Sequence, residues 1–339
     1  MKSTLINSNE TPYGEFGFDS SRQGADQWEH PPFGLNSAGG FLLTTKCNYQ
    51  CAHCITSSTP KKGTSLELSD IEGYLNWLIK TGKQLICITG GEVLYQGNVV
   101  DWVEWLISKI SSHGITCILD TNAYWANSPD KTYKQLSRLK NIGLTHIYTS
   151  ADDYHSNYSA INNVINLVNA CRELNVKYLI GATMPPILSL SNKSIIEELI
   201  NIDATFRIDP PTPFGRAANF TEKQFPYFQL SPKNDKCPIL GPNLHADGYV
   251  YACCNGIHPS ESLLNWGMFS EKKFESLSKE VKQLLLSFET EGLFALVNSI
   301  PPRLRDDILG KKWHGLCHMC HHIFSNRDCL EGLEVICNV

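Results

Sequence analysis

The sequence predicts an α/β protein built on a parallel sheet. Two observations carry that expectation. Short apolar strand-like runs alternate with amphipathic helix stripes six times, and a proline-dense stretch then ends the alternation. The 339 residues are enough for one large domain and one small one, and 42% hydrophobic residues make a sizeable core feasible. A net charge of −5 gives no basic surface for nucleic acid. There is no apolar run of about 18 residues and no signal-peptide pattern, so no membrane partner is expected and the expected location is cytoplasmic.

Taken in order, residues 1–38 are polar and irregular and read as an N-terminal tail, whose Phe16, Phe18, Trp28 and Phe33 can dock onto the body. Phe41-Leu42-Leu43-Thr44-Thr45 reads as the first strand. After a loop with Pro60 and Gly63, Ser69-x-x-Glu72 reads as a capping box. It opens a helix with the stripe Ile71, Tyr74, Leu75 and Leu78, and Gly82 stops it. Gln84–Thr89 is the second strand, followed by a helical stripe at Val99, Trp102, Val103, Leu106 and Ile110. Strands are expected at Ile115–Leu119, Thr145–Thr149, Val176–Ala182 and Thr205–Ile208. Helices are expected at 131–140, at the stripe Ile161, Val164, Ile165 and Val168, and at 191–201. Periodicity alone does not separate a barrel from a doubly wound sheet. Pro210, Pro211, Pro213, Gly215, Pro226 and Pro232 then mark a boundary. The expected domains are 39–230 and 231–339. The second holds a hairpin at 244–253 with its turn at Asp247-Gly248, a helix at about 271–287 and a cysteine-bearing tail.

Thirteen cysteines is an odd number, and ten of them fall in two clusters, around 47–54 and from 237 onward. Reduced metal ligands explain such clusters better than a disulfide framework. Cys87, Cys117 and Cys171 stand singly and read as core. Cys47, Cys51 and Cys54 follow the spacing Cys-x3-Cys-x2-Cys. Thiolates are the usual ligands of iron–sulfur clusters. Three of them on a four-iron cluster leave one iron open, whereas a three-thiol zinc site or plain burial would need no open corner. Ligands of parallel α/β folds bind beyond the carboxyl ends of the strands. Gly90-Gly91-Glu92 lies at such an end, with two glycines that admit close backbone approach and a carboxylate that can accept from an ammonium group. Asn122, in Thr121–Trp125, and Ser150, Asp152, Asp153, Tyr154 and His155 end the third and fourth strands. They offer hydrogen bonds to a ribose or a substrate backbone; ordinary loop polarity is the alternative, and for His155 the favoured one.

The cysteine loop leaving the first strand, with Gly90-Gly91-Glu92 about 35 residues later, resembles the radical S-adenosylmethionine (SAM) superfamily. That resemblance implies a partial (β/α)6 barrel. It also implies a [4Fe–4S] cluster on Cys47, Cys51 and Cys54, whose open iron chelates SAM, and a SAM amino group held at Gly90, Gly91 and Glu92. The order Cys237, Cys253, Cys317-x2-Cys320 resembles the smaller C-terminal auxiliary-cluster domain, twitch or SPASM, and implies a second [4Fe–4S] cluster. Zinc on the same four thiolates is the alternative. Cys329 and Cys337 are off the two-cluster spacing and read as spare. On an extended hairpin Cys254 would face away from Cys253, into the barrel mouth.

Thr89-Gly90-Gly91-Glu92-Val93, Asn122-Ala123-Tyr124-Trp125, Asp152-Asp153-Tyr154-His155, Cys237-Pro238, Cys253-Cys254 and Phe324-Ser325-Asn326 narrow the resemblance to the radical SAM peptide epimerases that act on epipeptides. That branch implies an isomerase acting on a ribosomally made precursor peptide, with an electron donor such as flavodoxin or ferredoxin. A 5′-deoxyadenosyl radical removes an L-residue's Cα hydrogen, and Cys254 returns one from the opposite face. The alternatives are a maturase forming thioether or carbon–carbon crosslinks, a small-molecule radical dehydrogenase, and a non-enzymatic metal protein. About 40 residues precede the first strand, too few for a leader-binding winged helix, so peptide binding is expected at the mouth, the tail or a separate protein.

Overall fold

A computed structural model of the chain describes residues 30, 33–95, 97–156, 161–185, 188–220, 237, 241–254, 258–269 and 279–337. Strands β1 (Ala38–Leu42), β2 (Leu85–Thr89), β3 (Thr116–Asp120), β4 (His146–Ser150), β5 (Lys177–Thr183) and β6 (Phe206–Asp209) pair in parallel in chain order. Between them run α1 (Leu68–Lys80), α2 (Asn98–Ser112), α3 (Pro129–Asn141), the single turn α4 (Asp153–Ser156), α5 (Ile161–Leu174) and α6 (Leu190–Asn201). The alternation read from the sequence is therefore present, with boundaries moved by one to three residues.

Two of those movements have clear causes. β1 starts at Ala38, not Phe41, because its first turn of strand is glycine rather than apolar side chains. A Cβ on Gly39 would lie 2.4 Å from Leu78, and one on Gly40 would lie 2.4 Å from Asn243 Oδ1, so the strand is packed on both faces. The residues before it belong to the body. Leu35 is buried, its N–H donates to Glu289 Oε2 (2.8 Å), and Phe33 packs under β1, β2, β3 and β5. Phe16, Phe18 and Trp28 lie outside the described residues, as does the boundary expected at 230/231. The second movement removes the capping box. Helix α1 is capped at Glu67 with no side-chain cap, which places Ser69 inside the first turn. Buried Leu66 is pinned to β1 by its N–H to Leu43 O (3.0 Å), so the helix starts immediately after it. Its stripe Ile71, Tyr74, Leu75 and Leu78 is buried as expected, each side chain contributing about 1.5–3 kcal/mol. Gly82 follows it with φ +73, the left-handed stop that glycine favours.

Beyond β6 the chain adds β7 (Asn243–His245) parallel to β1, then β8 (Tyr249–Tyr251) and β9 (Asn265–Met268), both antiparallel. The nine strands make one sheet in the order β6-β5-β4-β3-β2-β1-β7-β8-β9. The hairpin turn lies at Asp247-Gly248, with Gly248 at φ +82 and Tyr249 N–H donating to Asp247 Oδ1 (3.0 Å). The expected helix at about 271–287 is described from Lys279 to Glu291 (α7). The cysteine-bearing tail is helical: α8 (Leu293–Ser299), α9 (Pro302–Gly310), α10 (Leu316–Ser325) and α11 (Arg327–Cys337). Helices of 7 to 11 residues are too short to register in the windows that reveal a 3.6-residue period.

The parallel strands curl. In a flat sheet β1 and β6 would stand about 24 Å apart, five strand spacings of roughly 4.8 Å. Instead Arg216, just past β6, donates from Nε to the carbonyl of Cys51, just past β1 (2.8 Å). The inner face begins with Ala38, Leu85, Ile118 and Leu179 and becomes polar toward the carboxyl ends, at Thr89, Asp120, Tyr148, Arg207 and Asp209. Among the described residues, no helix is long and apolar enough to cross a membrane.

Candidate active site

The loops after β1, β2, β3, β4 and β6 meet at the carboxyl ends of the strands. The β1 loop carries Cys47, Cys51 and Cys54, packed with Tyr49, Tyr124 and Tyr154. Backbone N–H groups aim at two of the sulfurs: Tyr49 at Cys47 and Ser58 at Cys54, each at 3.3 Å. Two other loops clamp this one. Gly91 N–H donates to Thr44 O (2.7 Å) and Glu92 N–H to Lys46 O (2.9 Å). From the opposite side Arg216 reaches Cys51 O and, through Nη1, Ser58 O (2.8 Å), while its N–H donates to Cys54 O (3.0 Å). The turn before it needs glycine: Gly215 has φ +56, and a Cβ there would lie 2.3 Å from Ile55 O.

Glu92 is buried and accepts from Leu94 N–H (3.0 Å), Asn122 N–H (2.7 Å) and Thr121 Oγ1 (2.9 and 3.0 Å). It thereby ties the β2 loop to the β3 loop. Burial outweighs those donors and pushes its carboxyl up to about 7, with the Asp120 charge adding to the rise. Between 4.5 and about 7 the folded apo chain therefore holds a proton that the unfolded chain has lost, and stability falls as pH rises through that window. Over two to three pH units this amounts to about 3 kcal/mol. Glu92→Gln has no such slope, but its amide turns a donor toward a backbone N–H, at about 1–3 kcal/mol. The variant is expected to be less stable than wild type at pH 5, with the gap shrinking by pH 8 in denaturant melts of apo protein. A gap independent of pH would show that Glu92 is ionised throughout.

The remaining expected cofactor contacts divide. Asn122 Nδ2 donates to Asn48 Oδ1 (2.8 Å) and approaches Cys47 Sγ (3.7 Å), so it belongs to the cysteine loop's lining. Ser150 ends β4, half-buried. Asp152 does not present its carboxylate to the mouth. Oδ1 accepts from the His155 ring (2.8 Å) and backbone (3.1 Å), and Oδ2 accepts from Thr183 N–H (3.1 Å). Burial opposes charge on this pair, yet His155 holds Asp152 below its ordinary value and Asp152 holds His155 well above its own. Cys51 adds to the same rise at His155. His155 is thus a loop histidine whose ring is satisfied by Asp152. His53, kept neutral by burial that pushes it down to about 4, packs against Tyr154 at a tilt (4.6 Å) and meets His155 edge-on (5.0 Å).

A second thiol group forms where β8 meets α10. Burial of the thiol pushes half-buried Cys320 well above its ordinary value, and Cys253, Cys237 and Cys317 push the same way. Cys254 joins the same group. Its thiol is hydrogen-bonded to Cys253 and feels Cys237 and Cys317. The expectation that it faces away from Cys253 is thereby corrected: β8 ends at Tyr251, residues 252–254 bend, and strand alternation no longer applies. On its other side Cys254 contributes to the field at Arg207 of β6, after Tyr148 and Asp209. Cys329 is buried in the core, apart from this group, and the Cys337 side chain lies outside the described residues. Cys117 and Cys171 are core as expected, while Cys87 packs on the inner face of the barrel.

The first thiol group fits a metal cluster. Burial pushes Cys47 up to about 12, and Glu92, Cys51 and Cys54 push the same way, so the thiolates call for positive charge from a bound group. His53 Nδ1 and Arg216 Nη2 stand beside them, buried with no hydrogen-bond partner among the described residues. Sequence reading took Gly215 only as a boundary marker, passed over Arg216, and named Asp152 and His155 without pairing them. No local pattern announces a clamp whose partner lies 165 residues away.

A family model described as the radical SAM superfamily matches residues 41–199. The Bacillus subtilis (strain 168) protein YydG, described as a peptide biosynthesis protein, is 22% identical over 307 residues, covering 86% of this chain and 93% of the relative. The antilisterial bacteriocin subtilosin biosynthesis protein AlbA of the same strain is 27% identical over 99 residues, 28% of this chain and 21% of AlbA. Among solved structures, SuiB of Streptococcus suis bound to S-adenosylmethionine superposes with a TM-score of 0.41 at 12% identity, over 91% of this chain and 78% of that one. With the parallel sheet, the three-cysteine loop at its carboxyl end and the family match over residues 41–199, that region carries a radical SAM domain, of a family that uses a [4Fe–4S] cluster and S-adenosylmethionine.

Proposed function

We propose that the chain is a peptide epimerase, converting L- to D-residues in a ribosomally made peptide. Cys47, Cys51 and Cys54 would hold the cluster, with Gly90, Gly91 and Glu92 at SAM's amino end and Asn122 and Ser150 along the mouth. When bound, cluster and SAM supply a carbon-centred radical able to take hydrogen from an unactivated carbon. The chain's own part is position and hydrogen return. The observation that carries this reading is the placement of Cys254 beside Cys253, near enough for Cys237 and Cys317 to act on its thiol and for the thiol to act on Arg207 of β6. From there its S–H bond breaks and a new Cα–H bond forms on the face opposite the one that lost hydrogen. The peptide keeps its mass. The sulfur is left one hydrogen atom short and is reset by one electron and one proton, the electron from a flavodoxin- or ferredoxin-type donor. Cys237, Cys253, Cys317 and Cys320 would hold the auxiliary [4Fe–4S] cluster beside it. Similarity to YydG along most of both chains supports a peptide substrate.

Cys254→Ala tests the assignment. The variant is expected to form 5′-deoxyadenosine in the presence of peptide yet give no D-residue on chiral amino-acid analysis. Wild-type product made in heavy water should gain one deuterium. Inversion by Cys254→Ala would remove the role, and a product two hydrogens lighter would point to crosslinking or oxidation instead.

A further inference from the structure

Between His30 and Leu66 the chain carries three lysines, Lys46, Lys61 and Lys62, and no aspartate or glutamate, although its net charge is −5. The fold draws the three together at the root of the cysteine loop. Cys47 N–H donates to Thr59 O (3.2 Å) and Thr45 N–H to Thr64 O (2.9 Å), and a Cβ on Gly63 would lie 2.7 Å from Lys46 N. Lys61 and Lys62, between those contacts, are thereby held beside Lys46. All three lysines are exposed, and none makes an ion pair among the described residues. Next to them a cleft of about 400 Å³ opens between the β1 loop and the start of α2, with Lys46, Tyr95, Asn98 and Trp102 in its wall. Lys46 and Asn98 are exposed, Tyr95 and Trp102 half-buried. The carboxylate in that wall, Glu92, is buried and taken up by Leu94, Asn122 and Thr121. The exposed charge of the cleft is therefore positive. Lys46 and Cys47 are neighbours, with Cα atoms about 3.8 Å apart, so whatever sits against Lys46 stands one residue from a thiol of the barrel site.

We infer that this cleft and its three lysines are the docking face for the protein that supplies electrons, an acidic carrier of the flavodoxin type. The inference rests on the reading that Cys47, Cys51 and Cys54 hold a cluster that must be reduced. Charge complementarity names the partner. An acidic carrier meets three unpaired cations and no carboxylate in the stretch that bears them, which steers its encounter and fixes its orientation on a chain that is otherwise acidic. Tyr95 and Trp102 are the side-chain types that anchor interfaces. A transient electron-transfer contact buries less than about 1,200 Å², so a cleft with a charged rim is enough. In the step itself one electron leaves the anionic flavin hydroquinone, giving the neutral semiquinone, and passes to the cluster, which goes from its oxidised to its one-electron-reduced state. No proton moves.

The test uses the full chain, reconstituted anaerobically with iron and sulfide, and a purified bacterial flavodoxin as probe. Two quantities are read: the Kd for oxidised flavodoxin, by calorimetry, and the rate at which flavodoxin hydroquinone reduces the chain, from semiquinone absorbance in stopped flow. In Lys61→Glu/Lys62→Glu both should worsen about tenfold at low salt. The gap should close to within about twofold at 1 M salt, where the screening length falls to about 3 Å. Asn98→Glu sets a carboxylate in the wall of the cleft and should weaken both about threefold, while α2, which it begins, tolerates an acidic first turn. Lys131→Glu/Lys134→Glu, exposed on α3, changes the net charge as much as the first pair and should move neither quantity by more than about twofold. Reduction by dithionite needs no docking face and should be equal in all of them, which separates a damaged cluster site from lost docking. Equal Kd and equal rate in wild type, Lys61→Glu/Lys62→Glu and Asn98→Glu overturn the inference. So does a loss in the α3 pair as large as in Lys61→Glu/Lys62→Glu, since net charge alone would then explain the attraction, and so does a wild type that binds no flavodoxin at low salt. A reconstituted wild type without iron and sulfide overturns the cluster reading as well, and the iron assay shows that failure apart from any failure of docking.

Discussion

With Cys47, Cys51 and Cys54 all changed to alanine, about four irons and four sulfides per chain should disappear, and SAM cleavage should stop entirely. The expected loss is total because the proposed function gives the cluster to these three thiols, and among the described residues no other cysteine packs with them. His53 and His155 are the nearest alternatives, but His155 is committed to Asp152 and His53 is a single neutral ring. Folding should survive. Cys51 and Cys47 are buried in a loop, and removing two or three sulfur atoms there costs about 1–3 kcal/mol of apo stability, within the usual range of point changes. Iron and sulfide assays, with chromatography for 5′-deoxyadenosine, check the first claim; circular dichroism melts check the second. Iron that remains would belong to the Cys237, Cys253, Cys317 and Cys320 group, which gives an independent count for an auxiliary cluster. Undiminished SAM cleavage would sink the assignment of the barrel site.

Gly91→Ala should be a highly damaging single-methyl change in the molecule's working end. A Cβ at Gly91 would stand 2.2 Å from Lys46 O, 2.7 Å from Lys46 C and 3.0 Å from Cys47 Cβ. Two of those atoms are backbone, so no side chain can swing aside to make room. The β1 and β2 loops must separate, and the separation breaks or stretches the Glu92 N–H to Lys46 O and Gly91 N–H to Thr44 O bonds. Overpacking of this kind costs about 1–3 kcal/mol. The larger effect falls on function, since the displaced atoms carry Cys47. Reconstituted Gly91→Ala should hold less iron than wild type and bind SAM at least about tenfold more weakly, at 1.4 kcal/mol per decade. Gly310→Ala is the control: a Cβ there meets nothing within 4 Å, and neither measurement should move. Equal iron content and SAM affinity in Gly91→Ala and wild type would mean that the two loops are not held in contact.

How much of this was legible in advance follows from the range of each signal. Strand and helix order could be read because alternation and the 3.6-residue stripe are local, as in α2, where Val99, Val103, Leu106 and Ile110 are all buried. Spacing likewise exposed the three-cysteine loop and Gly90-Gly91-Glu92. Errors arose where a local rule met a tertiary constraint. Ser69-x-x-Glu72 has the letters of a capping box, but Leu66, pinned to Leu43 just past β1, starts the helix two residues too soon for it. Cys253 and Cys254 obey strand alternation only if the strand continues, and it ends at Tyr251. Asp152 looked like a ribose acceptor because its carboxylate was in the right loop; Thr183, on the next strand, fills it.

Cysteine spacing and the sixfold alternation by themselves determined the parallel α/β body and the thiols at its carboxyl end, because both depend on neighbours within one turn or one loop. Closure of the barrel decided the rest. Only when β6 comes round to β1 does Arg216 reach the carbonyl of Cys51, and only when the loops after β1 and β4 meet does His155 come near a cysteine 104 positions earlier. Hydrogen bonds between loops distant in sequence are set by the packing of the elements that carry them, and no stretch of residues encodes such a bond alone.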